Sequence, residues 1–166
     1  MQLNDAISAD TATNMAGYTQ PALLVPRLAG TDMAGIIKEL SVRLHREGCV
    51  PDMLQFYHAV LNREYLIPTA MDFGVAIPHA RVDGPVGVQF AMGRCVPSLV
   101  WGAKGALEVE WVFLVAVPST DAASYLHFLS GLAKFGRQPD LRARAQAAAH
   151  PSELYALLEE VRVRQA

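Results

Sequence analysis

The sequence is poor in the features that mark several classes of protein. Its 166 residues contain two cysteines, Cys49 and Cys95. They are too few and too far apart for a disulfide framework or a zinc site, so two free thiols are expected. Apolar runs break before they reach about 18 residues, so neither a transmembrane helix nor membrane insertion is expected. No basic flank precedes an apolar block at the N-terminus, so we predict no signal peptide and a cytoplasmic protein.

Charge and short motifs exclude further classes of function. The net charge is −2 and 18% of residues are charged, which gives no basic footprint for nucleic acid. There is no glycine-rich phosphate loop, no His-x-x-x-His or Cys-x-x-Cys pattern and no Gly-x-Ser-x-Gly elbow. The apolar content of 52% and the length of the chain instead favour one globular domain over residues 1–166 with a proper core.

Helical spacing of apolar residues predicts several helices. One face after Thr31-Asp32 carries Met33, Ile36, Ile37, Leu40 and Leu44, and Gly48 stands where this helix would stop. Further helices are predicted from Asp52 to about Tyr65, from Ser119-Thr120-Asp121 to about Phe135, from Pro139, and from His150-Pro151 through Val161.

Strand signals lie between these helices. Ala22–Val25 fits a short strand or a helix start, and separate strands are predicted at Val75–Ile77, Val86–Met92 and Val96–Trp101. Val109–Val117 is almost continuously apolar, which is typical of a central strand covered on both faces. Because helices precede, separate and follow the strands, we predict an α/β sandwich in which helices flank both faces of a central mixed β-sheet.

The stretch Gly74–Ala80 is the most informative part of the chain. Its apolar run ends at Pro78, and the next residue is His79. This places an imidazole at the tip of a predicted strand, where α/β folds bind ligands, on a backbone that proline stiffens. Imidazole is both a nucleophile and partly neutral near physiological pH. His79 is therefore the candidate functional histidine, and a packed structural histidine is the alternative.

Other polar residues have a structural and a functional interpretation. Arg63 closes a predicted helix, where it would cap carbonyl groups or bind a phosphate with paired donors. Tyr125 and His127 lie two residues apart on a predicted helix, so they do not share a face. Surface, packing or capping roles are predicted for the remaining histidines, His45, His58 and His150.

Taken together, Arg63-Glu64, Thr69 and Gly74–Ala80 resemble a known pattern. They are similar in order and spacing to the fructose/mannitol-type (type 2) enzyme IIA domain of the bacterial phosphoenolpyruvate-dependent sugar phosphotransferase system (PTS). The similarity covers about residues 20–162, and the final third most resembles the nitrogen-regulatory branch. It continues through Val117-Pro118, Leu126–Ala133 and Glu153–Tyr155.

The resemblance implies a phosphocarrier, a phosphotransferase component that forms a phosphohistidine. His79 would accept a phosphoryl group from HPr or an HPr-like protein and pass it to an enzyme IIB, or hold it as a signal to a regulatory target. Arg63 would neutralise charge on the phosphoryl oxygens, and Thr69 would donate a hydrogen bond. Tyr125 and His127 are the further phosphate-stabilising candidates, and no metal or organic cofactor is implied.

Two positions depart from the family pattern. Phe73 stands where relatives commonly carry asparagine, and Tyr125 aligns with a second histidine. Tyrosine donates a hydrogen bond but stays neutral near pH 7, so it supplies no titratable cation. These departures leave an alternative function open: a regulatory binding module of the same fold with impaired or lost phosphotransfer. An unrelated histidine-dependent hydrolase would need an acid or metal partner that the sequence does not display.

Overall fold

The computed structural model describes residues 12–84, 87–102 and 107–163. Within these ranges, two short 3-10 helices, Met15–Tyr18 and Pro21–Leu23, precede the sheet and its helices. The strands are β1 (Leu24–Val25), β2 (Val75–Ala76), β3 (His79–Val82), β4 (Gln89–Val100) and β5 (Glu108–Pro118). The helices are α1 (Met33–Arg46), α2 (Met53–Leu66), α3 (Ala122–Arg137), α4 (Pro139–Ala147) and α5 (Pro151–Glu159).

The helices begin where their capping residues predict. The Asp32, Asp52 and Asp121 carboxylates accept hydrogen bonds from backbone N–H groups three residues later, so each satisfies a donor that the first turn leaves free. At α5, Glu153 accepts from the His150 N–H at 3.1 Å. The predicted helix starts are thereby confirmed.

The sheet is mixed, with β5 at its centre. Strand β4 pairs antiparallel with β5 on one side, and β1 pairs parallel with the outer side of β4. Strands β2 and β3 pair parallel with β5 on its other side, one after the other along the same edge. This arrangement confirms the predicted fold class and leaves β3 as an edge strand, accessible from both layers of helices.

Helices cover both faces of the sheet. One buried cluster joins alternate residues of β5, among them Leu114, to α1 and α2, and the other joins residues such as Val115 to α3, α4 and α5. The prediction of a central strand covered on both faces is confirmed. His79 pairs in register with Val115, so its side chain lies on the α3 face of the sheet.

The prediction of separate strands at Val86–Met92 and Val96–Trp101 is wrong. The structure has one long strand, β4, and Val86 lies outside the described residues. The exposed Pro97 lies in the register shift between Arg94 and Leu99. The hydrogen-bond ladder between β4 and β5 is already interrupted there, so the lack of an N–H group on proline costs no inter-strand hydrogen bond.

The histidine follows a short strand, as predicted, but it also opens the next strand, which was not predicted. Strand β2 ends at Ala76, and β3 begins at His79. Pro78 interrupts the ladder because it has no N–H to donate. Its carbonyl still accepts from the Val115 N–H at 3.0 Å, which sets the register in which His79 resumes pairing.

A polar cluster around Glu110 ties the opposite end of the sheet to α4. Its carboxylate accepts from Arg94 Nε at 3.1 Å, from Arg142 Nη2 at 3.0 Å, and from Gln146 Nε2. Arg142 also donates to the carbonyl of Phe73, in the turn before β2. The cluster therefore joins both long strands, α4 and the turn that leads to β2.

We predict that Glu110→Gln lowers the free energy of unfolding at pH 7 by about 2–3 kcal/mol, because it removes the charge that faces two guanidinium groups. Burial alone would raise the pKa of Glu110, but hydrogen bonds from Gln146, Arg142 and Arg94 outweigh it and lower the pKa. A carboxylate with a lowered folded-state pKa stabilises above its unfolded pKa, and that contribution is lost as pH falls through the folded pKa.

Urea unfolding of the wild type and of Glu110→Gln at several pH values measures this difference in the free energy of unfolding. The difference between wild type and Glu110→Gln is expected to be largest near neutrality and to shrink from about pH 5 downward. Glu160→Gln is the matched control, because the Glu160–Arg144 pair is exposed and its loss should change stability much less. Equal effects of the two substitutions would contradict the assigned role of Glu110.

Candidate functional site

A cleft of about 400 Å³ lies at the β3 edge of the sheet, between α2 and α3. Because β3 is an edge strand, residues of α2 on one face of the sheet and of α3 on the other face can line the same cleft. Its lining residues are Ala59, Arg63, His79, Ala80, Arg81, Val117, Pro118, Ser119, Ala122 and Tyr125. Three of the five residues singled out in the sequence, Arg63, His79 and Tyr125, are thus brought together.

The half-buried His79 ring is held in one tautomer. Its Nδ1 lies 2.9 Å from the carbonyl oxygen of Ile77. Since a carbonyl oxygen only accepts hydrogen bonds, Nδ1 must carry the proton. In the neutral ring, Nε2 then keeps its lone pair, which is the form a nucleophile needs.

Tyr125 lies beside this imidazole. The two ring centroids are 5.5 Å apart, and Tyr125 stacks on Phe128 at 6.3 Å with an interplanar angle of 14°. Burial raises the pKa of the Tyr125 hydroxyl, and the opposing effect of the Arg63 charge is smaller. The phenol therefore remains a neutral hydrogen-bond donor at physiological pH.

Two guanidinium groups, those of Arg63 and Arg81, give the cleft its charge. Both residues line it, and none of its lining residues is an aspartate or glutamate. Across the described ranges, no carboxylate lies within ion-pair distance of either arginine. The cleft therefore suits an anion, and guanidinium matches phosphoryl oxygens well.

Sequence reasoning did not single out Arg81. The available signal was strand alternation: residues two apart on a strand point to the same face, so Arg81 follows His79 onto the α3 face of β3. The signal was missed because the predicted strand ended before His79, and no strand was predicted to begin at that residue.

The structure does not place Thr69 or His127 in the cleft lining. Thr69 instead contacts the backbone two residues before the histidine, where its Oγ1 accepts from the Ile77 N–H at 2.9 Å. His127 is half-buried on α3, two residues after Tyr125, so it points away from the cleft as the helical spacing predicts.

A larger cleft, of about 600 Å³, lies at the other end of β5, against Phe73, Arg94, Glu108 and Glu110. The carboxylate of Glu110 is already engaged there by Arg94, Arg142 and Gln146. Cys95 also lines this cleft, but burial, followed by the charges of Glu110 and Glu39, raises the pKa of its thiol to about 12. A protonated thiol is a poor nucleophile, so the chemistry points to the His79 cleft.

Both cysteines are free thiols, as predicted, and burial raises the pKa of Cys49 to about 11. Residues 12–84, 87–102 and 107–163 contain no group of three or more histidine, cysteine, aspartate or glutamate side chains that could hold a metal ion. None of the helices in these ranges is long and apolar enough to cross a bilayer.

Residues 19–161 match the family described as phosphoenolpyruvate-dependent sugar phosphotransferase system, EIIA 2. The chain belongs to that family. It is 32% identical over 149 residues to the PTS system 2-O-alpha-mannosyl-D-glycerate-specific EIIABC component of Escherichia coli. That alignment covers 89% of this chain but only 23% of the longer relative.

Solved structures agree on the fold. The nitrogen regulatory protein IIA-Ntr of Neisseria meningitidis superposes with a TM-score of 0.75 at 23% identity, covering 87% of this chain and 98% of that one. A second match comes from a complex of enzyme IIA mannitol with phosphorylated enzyme IIB mannitol from Escherichia coli. The TM-score is 0.66 at 14% identity, and the match covers 82% of this chain and 94% of that one. Relatives of the family thus include sugar-specific and nitrogen-regulatory proteins, and PTS IIA proteins are phosphotransfer components.

Proposed function

We propose that this domain, over residues 1–166, is a phosphocarrier in which Nε2 of His79 accepts a phosphoryl group from HPr or an HPr-like donor. It then passes the group to an enzyme IIB or holds it as a signal to a regulatory target. The observation that carries the proposal is the hydrogen bond from Nδ1 to the Ile77 carbonyl, which places the lone pair of the neutral ring on Nε2, in a cleft lined by two arginines.

The transfer step balances without a cofactor. The lone pair of Nε2 forms the new P–N bond while the donor's P–N bond breaks and its electron pair returns to the donor imidazole. The ring of His79 gains positive charge in this step, and the bond from Nδ1–H to the Ile77 carbonyl strengthens as it does so. Proton transfer is not required, so positioning and charge stabilisation supply the catalysis.

The arginines act on the oxygens of the phosphoryl group. Those oxygens carry the negative charge during transfer, and the guanidinium groups of Arg63 and Arg81 supply paired donors on the same cleft. Tyr125 adds one neutral donor close to the His79 ring. Thr69, in contrast, is assigned to hold the backbone behind the histidine, because its hydroxyl oxygen accepts from Ile77.

Tyr125→Phe is expected to lower the rate of transfer to His79 about 3- to 10-fold, because one neutral hydrogen bond to the phosphoryl group is lost. Tyr125→His would add a group that titrates near neutrality, so its transfer rate should depend on pH more steeply than the wild-type rate between about pH 6 and 7. Quenched-flow phosphorylation at several pH values measures both. Identical rates for wild type and Tyr125→Phe would remove the tyrosine from the mechanism.

A regulatory binding module with impaired or lost transfer is the second candidate. The neutral Tyr125 favours it, because the residue beside the nucleophile supplies no cation. Phe73 does not favour it. Its ring packs against Gly136 and fills the space that a Cβ atom there would need, and this contact joins the turn to α3 outside the His79 cleft.

The experiment is intact-mass analysis after incubation with phosphoenolpyruvate, enzyme I and HPr. We expect one acid-labile phosphoryl group, which is then discharged by a cognate enzyme IIB or retained. Absence of any added mass, with the donor shown to phosphorylate a second IIA protein, would reject the carrier and favour the binding module. The cytoplasmic location remains a prediction.

A further inference from the structure

The side chain of Glu64 is completely buried, although its neighbours in the last turn of α2 are exposed. Its Oε2 accepts from Trp101 Nε1 at 2.8 Å and from the Thr69 N–H at 3.1 Å. Its Oε1 is also buried, without a hydrogen-bond partner in the described part of the chain. An apolar side chain would avoid this desolvation, so the carboxyl group is costly for stability alone and calls for another explanation.

A series of hydrogen bonds leads from this carboxyl group to the candidate nucleophile. The Thr69 N–H donates to Glu64, and the Thr69 hydroxyl oxygen accepts from the Ile77 N–H at 2.9 Å. The Ile77 carbonyl then accepts from Nδ1 of His79 at 2.9 Å. The series links α2, the segment before β2 and the start of β3, and Trp101 ties it to the end of β4.

We propose that Glu64 is a positioning residue that fixes the tautomer of His79. By holding Thr69 and, through it, Ile77, it keeps the Ile77 carbonyl aligned with Nδ1, so that the proton stays there and Nε2 stays free. The inference rests on the proposed function, because a free Nε2 matters for phosphoryl transfer. Its direct consequence, the tautomer, is a property of the unphosphorylated protein.

The same anchor also sets the place of Arg63. Consecutive helical residues point about 100° apart, so fixing Glu64 inside the protein directs Arg63 toward the cleft that it lines. One buried carboxyl group therefore positions both the nucleophile and a guanidinium group. Loss of the anchor is expected to affect transfer more than its effect on stability explains.

The test compares Glu64→Gln with Glu64→Met. Glutamine keeps an oxygen that accepts from Trp101 and Thr69, whereas methionine fills a similar volume and accepts almost nothing. Heteronuclear NMR of the His79 ring gives the tautomer without any partner protein. We expect a single Nδ1–H tautomer in wild type and Glu64→Gln, and a mixture in Glu64→Met with transfer roughly tenfold slower.

A second pair of variants covers the case in which Glu64→Met does not fold. Thr69→Val removes the hydroxyl oxygen that accepts a hydrogen bond from the Ile77 N–H and keeps the shape of the side chain. Thr69→Ser keeps the hydroxyl group. The valine variant is expected to show mixed tautomers, and the serine variant the wild-type one. Unfolding curves for all four proteins separate these changes from lost stability.

The outcomes are distinct. A folded Glu64→Met protein, or a Thr69→Val protein, that retains the single Nδ1–H tautomer would overturn the inference whatever its transfer rate. A tautomer shift in a protein whose wild type cannot be phosphorylated would support the positioning role and reject the carrier function. A tautomer shift accompanied by slower transfer supports both.

Discussion

Replacement of His79 by glutamine is expected to abolish phosphoryl transfer to this protein. The proposed P–N bond forms at Nε2, which carries the lone pair of the neutral ring, and an amide nitrogen has no comparable lone pair to offer. No other histidine lines the cleft in the part of the chain that the structure describes. We therefore expect a loss below detection and not a reduced rate.

Intact mass after incubation with phosphoenolpyruvate, enzyme I and HPr measures this effect. His58→Gln is the matched control, because His58 is exposed on α2 and does not line the cleft. The control should be labelled as wild type is. Acid-labile label on the His79→Gln protein would assign the phosphoryl group to a different residue.

The second large effect is expected at Arg63. Its guanidinium group lines the cleft without a carboxylate partner in the described ranges, so it is free to neutralise an incoming phosphoryl group. Removing one preorganised donor from a transition state costs roughly 10²- to 10³-fold in rate. We expect Arg63→Gln to slow transfer by that factor, and Arg63→Lys by less, because lysine keeps the charge and loses the paired geometry.

Single-turnover labelling from phosphorylated HPr gives these rates. Arg46→Gln is the control for loss of one positive charge, since Arg46 is exposed in the last turn of α1 and outside the cleft. Its rate should match that of wild type. If Arg63→Gln transferred as fast as Arg46→Gln, the cleft arginine would have no part in stabilising the phosphoryl group.

Local sequence signals predicted the elements of the fold well. Each helix start at Asp32, Asp52 and Asp121 depends on a side chain and an N–H three residues apart, and such contacts can be inferred from the sequence. The continuous apolar run of β5 likewise marked the central strand. Pro97 misled the prediction of β4, because a strand accommodates proline at a register shift, and only the partner strand reveals that shift.

The site was only partly predictable for the same reason. Residue type and position singled out His79, Arg63 and Tyr125 as candidates, and a resemblance in order and spacing then suggested their roles. Thr69 was expected to donate a hydrogen bond to the phosphoryl group. The structure shows that its Oγ1 accepts from the Ile77 N–H, a contact between residues eight positions apart that no local pattern shows. The bond between Glu64 and Trp101 joins residues 37 positions apart, so it too is a product of tertiary structure.

The most direct test of the account is to locate the bond that holds the phosphoryl group. Phosphorus–nitrogen NMR of the phosphorylated protein, with isotope-labelled histidine, distinguishes the two ring nitrogens. The account predicts a phosphoryl group on Nε2 of His79, with the proton retained on Nδ1 and bonded to the Ile77 carbonyl. A phosphoryl group on Nδ1, or on any other residue, would contradict it.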